Sequence, residues 1–384
     1  MNAASACNID MLREAARRHL PRLVFDYIDG GAEDELCMRH NRTAYEAVKL
    51  LPRYLVDVSS IDQSATVFGK TWKSSFGIGP TGLAAFARPG ADLMLAQAAR
   101  EASIPFVLSG AGTASVEAVC KVAPGNVWYQ LYVSRDAKIT ADLLRRARDA
   151  GVDTLMLTVD VPVHSKRERD IRNGFVPPMR PTLAMLLDFL THPAWLAGFA
   201  MNGMPRFENW APYASKNAGA QEIADLFTSQ IPFTQTWREL ESLRQLWPGK
   251  LIIKGILATD DARRAVDAGA DGLLVSNHGG RAFDSAPSPL QLLPAMRATV
   301  GEKTTLMLDS GVRRGSDIIK ARALGADFVF VGRPTLYGVA AAGLAGAKQA
   351  VHILEHEIEL ALAQMGQPVL AKIGQEALAA SAIV

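Results

Sequence analysis

Three stretches of this chain repeat one grammar. "RRARDAGVDTLMLTVD" ending at Asp160, "ARRAVDAGADGLLVSN" ending at Asn277 and "IIKARALGADFVFVG" ending at Gly332 each pass from a helix-forming stretch through a glycine into a short apolar run. Gly151, Gly269 and Gly325 stand where a helix stops, because glycine takes the left-handed backbone of a helix end without a Cβ penalty. The apolar runs lack polar alternation, which is the pattern of parallel strands covered on both faces. "SFGIGPT", "PFVLSG", "VWYQLY", "LIIKG" and "TTLMLDSG" supply five more, with helix-like sequence in most intervals. Eight β/α units favour a closed TIM (β/α)8 barrel over an open doubly wound sheet, which would need a different chain order. At 384 residues and 49% hydrophobic content, the chain accommodates a barrel of about 250 residues with additions.

The additions divide the chain. Residues 1–70 form an N-terminal helical segment in which "LPRLVFDYIDGGAED" reads as a helix stopped at Gly30–Gly31, and 71–345 form the barrel. An insertion, about 170–235, separates the fourth and fifth strands, and 346–384 form a C-terminal helical segment. The insertion holds "TLAMLLDFLTHPAWLAGFAMNGM", where Asp188, His192 and Pro193 interrupt the apolar run and argue against a bilayer-spanning helix. It is expected to lie in a membrane interface or to pack as a lid. The first twenty residues lack the apolar centre of a secretory signal, so a cytoplasmic chain is expected. Cys7, Cys37 and Cys120 have neither metal-ligand spacing nor an even disulfide count and read as reduced thiols. Forty-one Lys and Arg against thirty-nine Asp and Glu, with no basic block interleaved with aromatics, argue against a nucleic-acid partner.

The polar residues at the ends of the apolar runs say more about chemistry than the runs themselves. In chain order they are Thr81, Ser109, Gln130 with Tyr132, Thr158 with Asp160, Lys254, Ser276 with His278, Asp309, and Gly332 with Arg333. Strand C-termini in a barrel converge on one rim, where active sites are built. "DSGVRRGSD" and "VGRPT" bring Gly311, Arg313, Gly315, Gly332 and Arg333 to the usual place of a phosphate cradle. A phosphorylated substrate would use the same device. Flavin mononucleotide accounts for more: Gln130 and Thr158 could bond the ring edge and Lys254 could stabilise negative charge on it. No GxGxxG fingerprint follows a strand, which points away from NAD. His278 suits proton abstraction with Asp160 stabilising the imidazolium, and Arg167 and Arg281 suit a bidentate grip on a carboxylate.

Taken together, "LPRLVFDYIDGGAED", "GPTGL", "WYQLYV", "LTVDVP", "RERD", "IIKGI", "SNHGGR", "LDSGVRRGSDIIKARALGAD" and "VGRPTLYG" resemble the FMN-dependent L-2-hydroxy acid oxidase and dehydrogenase family over nearly the whole chain. The resemblance implies FMN as cofactor and an L-2-hydroxy acid as substrate. It implies His278 as the base, Asp160 as its partner, Arg167 and Arg281 as carboxylate ligands, and Tyr27 and Tyr132 as further substrate residues. For FMN it implies Pro80, Thr81, Gly82, Ser109, Gln130, Thr158, Lys254, Ser276, Asp309, Gly311, Arg313, Gly332 and Arg333. Gly82 in "PTGL" and the absence of tryptophan from "LSGAGTAS" are more similar to mandelate and lactate dehydrogenases than to glycolate oxidase. Gly110, Ala111 and Gly112 are therefore expected to leave room for a bulky, mandelate-like side chain. "THPAWL" and "NGMP" resemble the membrane-binding segment of mandelate dehydrogenase. This implies a peripheral enzyme on the cytoplasmic face of the inner membrane, a quinone-type electron acceptor and a homo-oligomer, a tetramer by family. Ala282–Phe283 departs from the family's glutamine–leucine and puts substrate detail or local packing in question.

Other readings compete. An oxygen-using oxidase or an L-lactate dehydrogenase would share these motifs. An FMN-barrel isomerase of a phosphorylated substrate, or a noncatalytic flavin-binding module, would leave Arg167, His278 and Arg281 without a task. "HILEH", residues 352–356, matches the HxxEH pattern of zinc peptidases. Its surroundings read instead as an amphipathic helix burying Val351, Leu354, Ile358 and Leu362, so no metal is expected.

Overall fold

A computed structural model describes residues 5–175, 182–231 and 235–379. Two strands, β1 (Ala65–Val67) and β2 (Lys70–Trp72), pair as an antiparallel hairpin. Eight more, β3 (Phe76–Ile78), β4 (Phe106–Leu108), β5 (Val127–Leu131), β6 (Thr154–Thr158), β7 (Lys250–Ile256), β8 (Gly272–Val275), β9 (Thr305–Leu308) and β10 (Phe328–Val331), close a parallel barrel in which β10 returns to β3. Each expected apolar run is one of these strands. Gly151, Gly269 and Gly325 all have positive φ, between 91° and 109°, and end the helices as their sequence pattern predicts.

The barrel interior is filled rather than hollow. Val107, Trp128, Met156, Ile252, Leu274, Met307, Phe328 and Phe330 point inward and pack with Ala65, Val67 and Trp72 of the β1–β2 hairpin. The apolar runs do not announce that hairpin; it adds its apolar face to the inner cluster, apart from the larger core between strands and helices. The polar ends of the same strands are thereby left to one rim.

Before the barrel come α1 (Ile9–His19), α2 (Arg22–Asp29) and α3 (Leu36–Ala47). Helix α2 ends with Gly30 as its cap, as the sequence predicts. Its last residue, Asp29, accepts two bonds from Arg13 at 2.6 and 2.7 Å, one from Arg169 and one from the Tyr337 hydroxyl at 2.8 Å. The N-terminal segment is thus clamped to both the insertion and the last barrel helix. A helix from Arg333 to Met365 is broken by non-helical backbone at Ala342 and Gly343, close to the expected end of the barrel. Beyond the break, Val351, Leu354, Ile358 and Leu362 are buried while His352 and His356 are exposed. Among the described residues no group of His, Cys, Asp or Glu could hold a metal ion.

The apolar part of the insertion forms a helix pair, Leu183–Leu190 and Pro193–Asn202, bent by 99° where His192 and Pro193 break the run, and a further helix, Ala220–Gln230, follows. No single helix among the described residues is long and apolar enough to cross a bilayer. Leu183, Leu187 and Leu190 are 75, 56 and 66% exposed, and Leu186 joins them at 48%, a stripe at helical spacing left open by the described residues. The opposite side is anchored: Trp195 and Phe199 are buried, and the Asp188 carboxylate accepts from the backbone N–H of Arg22 at 2.8 Å. Residues 176–181 and 232–234 of the expected insertion lie outside the described residues.

Candidate active site

Asp160, at the end of β6, is the hub of the rim. Its Oδ1 accepts from His278 Nδ1 at 2.8 Å and its Oδ2 from Lys254 Nζ at 3.0 Å. Lys254 Nζ also lies 3.3 Å from His278 Nδ1. Asp160 and Lys254 keep only 8 and 4% of their side-chain surface, so this is a buried ion pair with an imidazole attached. Burial pushes the Asp160 carboxyl up, but Lys254 and His278 more than offset it and hold the group ionised. Burial, and next the Lys254 ammonium, lower the His278 pKa against the opposing pull of Asp160. The imidazole is therefore neutral at pH 7. With Nδ1–H donated to Asp160, Nε2 carries the lone pair a base requires, and the side chain is 22% exposed.

Backbone geometry makes this approach possible. Gly255, inside β7, has φ +105° at a register shift between Lys254 and Ile256. A Cβ there would sit 2.4 Å from Asp160 Cβ. The bulge lets Asp160 lie against the strand that supplies Lys254. His278 itself has φ +57°, followed by Gly279 at +66° and Gly280 at +74°. Three successive left-handed residues turn the loop back on itself, and the non-glycine one is the candidate base, a common place for stored backbone strain. A Cβ on Gly280 would lie 2.6 Å from the backbone N of Met38.

Two arginines face this group. Arg281 Nη1 donates to the carbonyls of Tyr27 and Gly30 at 2.6 and 2.9 Å, with its guanidinium 4.9 Å from the Tyr27 ring centre. Arg167 Nε donates to Ser165 Oγ at 3.1 Å, and Ser165 Oγ donates to the carbonyl of Arg281 at 2.6 Å. Burial, and then the proximity of Arg167, bring the Arg281 pKa down to about 9, still charged at neutral pH. No carboxylate is hydrogen-bonded to either arginine among the described residues. Tyr132 is half-buried, and its hydroxyl is pushed well up by desolvation and then by Asp160, with Arg167, Tyr27 and Arg281 also within electrostatic reach. The structure thus brings Tyr27, Tyr132, Asp160, Arg167, His278 and Arg281 together.

The chain matches the family model described as FMN-dependent dehydrogenase over residues 16–380. It is 41% identical to (S)-mandelate dehydrogenase of Pseudomonas putida over 371 residues, covering 97% of this chain and 93% of that one. It is 40% identical to an L-lactate dehydrogenase of Caulobacter vibrioides over 369 residues, covering 96% of each. Among solved structures, the monotopic membrane protein (S)-mandelate dehydrogenase superposes with a TM-score of 0.94 at 41% identity, covering 98% of this chain and 99% of that one. The chain belongs to the FMN-dependent dehydrogenase family. It is an FMN-dependent 2-hydroxy acid dehydrogenase.

The rim of this dehydrogenase fits the flavin on its own evidence. Thr81 Oγ1, Gln130 Nε2 and Thr158 Oγ1 are buried polar atoms with no hydrogen-bond partner, an unusual cost unless a ligand supplies one. Gln130 Oε1 is already fixed by Ser109 Oγ at 3.0 Å and the Gly110 N–H at 3.1 Å, so its amide nitrogen is the end left over. Gly332 opens the helix from Arg333 with no side-chain cap, leaving backbone N–H groups for an anion. Gly311 has φ +86°, and Arg313 is two residues further along the same loop. Pro80 and Gly82 occupy the loop after β3, with Gly82 against Ala111. Ser276 Oγ accepts from the His278 N–H, and Asp309 accepts from Ser310, whose hydroxyl accepts from the Gly279 N–H. These two hold the His278 loop.

Several details differ from the sequence-based expectation. Gly315 is no part of a cradle: its N–H donates to Glu357 at 2.7 Å, and a Cβ would meet the Ile358 backbone at 2.4 Å. Arg333 spends its guanidinium on the carbonyls of Ile28, Gly279 and Gly30 at 3.1, 2.9 and 2.7 Å, stapling α2 to the His278 loop. Gly110 and Gly112 make close backbone packing rather than substrate space, since a Cβ would meet Gln130 O at 2.9 Å and Ser109 O at 2.8 Å. In the Ala282–Phe283 departure, Phe283 is 63% exposed and faces outward, while Ala282 is half-buried. Sequence reasoning does not find the Lys254–Asp160 bond or the role of Gly255; the glycine after a buried lysine in "IIKGI" is the available signal.

The orphaned hydroxyl of Thr158 can be tested with an isosteric methyl. Thr158→Val should raise the melting temperature of the FMN-free protein, because a buried unpaired group costs about 1–3 kcal/mol. The same change should weaken FMN binding about three- to tenfold, the worth of one hydrogen bond. Calorimetry of the apoprotein and flavin titration check the two signs.

Proposed function

We propose that this dehydrogenase oxidises an L-2-hydroxy acid with a bulky, mandelate-like side chain to the 2-oxo acid. The observation that carries the reading is one rim on which a neutral imidazole, held by a buried carboxylate, faces two arginines to which no carboxylate among the described residues is bonded. Arg281 and Arg167 would take the substrate carboxylate through paired N–H donors, with Tyr27 and Tyr132 flanking it. That grip directs the hydroxyl-bearing carbon toward His278. Nε2 of His278 takes a proton, and Asp160 stabilises the imidazolium that forms. Lys254 keeps Asp160 ionised and oriented. Bound FMN supplies the two-electron acceptor. Its holders are assigned as Pro80, Thr81, Gly82, Ser109, Gln130, Thr158, Lys254, Ser276, Asp309, Gly311, Arg313, Gly332 and Arg333, the last through its backbone end of the helix. The whole chain is read as one FMN dehydrogenase domain, with 1–70, the 71–345 barrel, the 170–235 insertion and 346–384 as its parts.

The leucine stripe of the helix from Leu183 supports a peripheral membrane contact, in keeping with the monotopic structure this chain resembles. We place the protein on the cytoplasmic face of the inner membrane, passing electrons to a quinone-type acceptor dissolved in the lipid.

Anaerobic mixing with L-mandelate, L-lactate and glycolate should bleach the yellow flavin fastest with L-mandelate; no bleaching with any 2-hydroxy acid would overturn the function. Reoxidation by a soluble quinone rather than by oxygen should follow, and the reverse would make the protein an oxidase. Because His278 sits below its ordinary value near 6.5, the acid limb of kcat/KM should lie below pH 6.5, where the base begins to gain a proton. Lys254→Met removes one of the charges that lowers it, so the limb should move to higher pH while kcat falls. In flotation with phosphatidylglycerol-containing vesicles, the wild type should rise with the lipid. Leu183→Gln, Leu187→Gln and Leu190→Gln together should leave it at the bottom.

A further inference from the structure

Six aromatic rings run without a break from the substrate side of the rim into the helical hairpin of the insertion. Tyr27, which carries Arg281 over its face, packs on Phe175 with centroids 4.7 Å apart. Phe175 meets Phe86 edge to face at 5.5 Å, and Phe86 lies 6.0 Å from Phe199. Phe199 packs 4.3 Å from Trp195, which touches Phe189 at 5.3 Å. The series has one polar fastener: Trp195 Nε1 donates to the carbonyl of Phe86 at 2.9 Å.

Burial divides the six. Trp195 and Phe199 are buried, whereas Tyr27, Phe86, Phe175 and Phe189 are each only partly covered. The buried pair acts as an anchor, and the rim members keep surface for something else to pack on. Phe86 lies in the short helix Ala84–Ala87 that follows β3 and Gly82, and the Leu83 N–H before that helix donates to the Ala111 carbonyl at 2.9 Å. Its backbone is therefore held from two sides, by the loop after β4 and by Trp195. Such rings interact through edges and offset faces, so their mutual placement is specific and not merely apolar.

We propose that Phe86 and Phe175, with Tyr27, form the wall on which the side chain of a bulky acid packs, and that Trp195 of the helical hairpin is the positioning residue that holds this wall. The proposal rests on the reading of the rim as an acid-oxidising site. Tyr27 also flanks the carboxylate common to all these acids, whereas the methyl group of a small acid offers Phe86 and Phe175 little surface, so those two rings act on the choice between acids. The helical hairpin then has two faces with two tasks. Its leucines meet lipid, and its tryptophan sets the breadth of the substrate site.

The test is flavin bleaching under anaerobic conditions by L-mandelate and L-lactate, in FMN-loaded wild type, Trp195→Ala and Trp195→Phe. Selectivity, the ratio of the two acids' bleaching efficiencies, should fall about tenfold in Trp195→Ala, within the range an apolar pocket discriminates. The loss should appear in the dissociation constant for mandelate. Trp195→Phe keeps one aromatic ring while losing the donated N–H and part of the indole's bulk, so it should recover part of the selectivity. An unchanged ratio in Trp195→Ala, or an equal fall for both acids, overturns the proposal. Should Trp195→Ala fail to hold FMN, Phe86→Leu decides by the same ratio, which must fall. A wild type that no 2-hydroxy acid bleaches refutes the acid-oxidising reading itself, a result distinct from a wild type that bleaches and a variant that does not change.

Discussion

An ionised carboxylate almost out of reach of water is the constraint on which this site is built. Asp160 would be driven toward its neutral acid by burial alone, and a neutral Asp160 could not polarise His278 or fix its tautomer. Lys254 offsets that cost from the neighbouring strand, at a distance that only a glycine at 255 permits. Breaking such a buried pair from one side is expensive, because the remaining charge is left without a partner. The three groups therefore come as a set. Their arrangement also serves the chemistry, since the same ammonium that keeps the aspartate charged discourages protonation of the imidazole. One lysine thus favours both the neutral imidazole and the charged carboxylate that the proposed mechanism requires.

The second constraint is close approach between two glycine pairs far apart in sequence. Gly30–Gly31 follow α2, and Gly279–Gly280 follow His278. The Ala32 N–H donates to the Gly280 carbonyl at 2.9 Å, and a Cβ on Gly31 would stand 2.9 Å from that same oxygen. Arg281 and Arg333 both donate to the Gly30 carbonyl, so two guanidinium groups lace the N-terminal segment onto the His278 loop. Tyr27 reaches the rim only because this seam is closed. The N-terminal helices are thus structural parts of the active rim rather than a separate addition.

Legibility in the sequence depends on which forces are local. The eight strands are legible because apolar runs closed by glycine-stopped helices carry their own period and punctuation. Convergence of His278, Asp160, Arg167 and Arg281 on one rim then comes from barrel topology, which sends all strand C-termini the same way. Contacts set by register are hidden. Nothing in "IIKGI" alone says that Gly255 exists to admit Asp160, and nothing in "VGRPT" says that Arg333 will spend its charge on three backbone carbonyls. The small residues after β4 illustrate the same limit. Gly110 and Gly112 look like room for substrate, but the space is taken by the neighbouring backbone, and the Gly110 carbonyl is claimed by Trp210 Nε1 at 3.0 Å.

The insertion shows how a segment can be apolar on both sides without being a buried core element. Asp188 and the His192–Pro193 break limit each helix to about two or three turns, too short to span the ~30 Å of hydrocarbon in a bilayer. Two short helices bent by 99° can instead lie across an interface, with the backbone satisfied internally and the leucines outward. A freely mobile flap would gain little from this, since its depth in lipid would not be fixed relative to the barrel. The Asp188 bond to the Arg22 N–H and the packing of Trp195 and Phe199 against Phe86 fix it. Both anchors lead back to elements that end at the rim, α2 with Tyr27 and the segment after β3 with Gly82. The orientation of the apolar stripe is therefore tied to the same two elements that border the proposed substrate site.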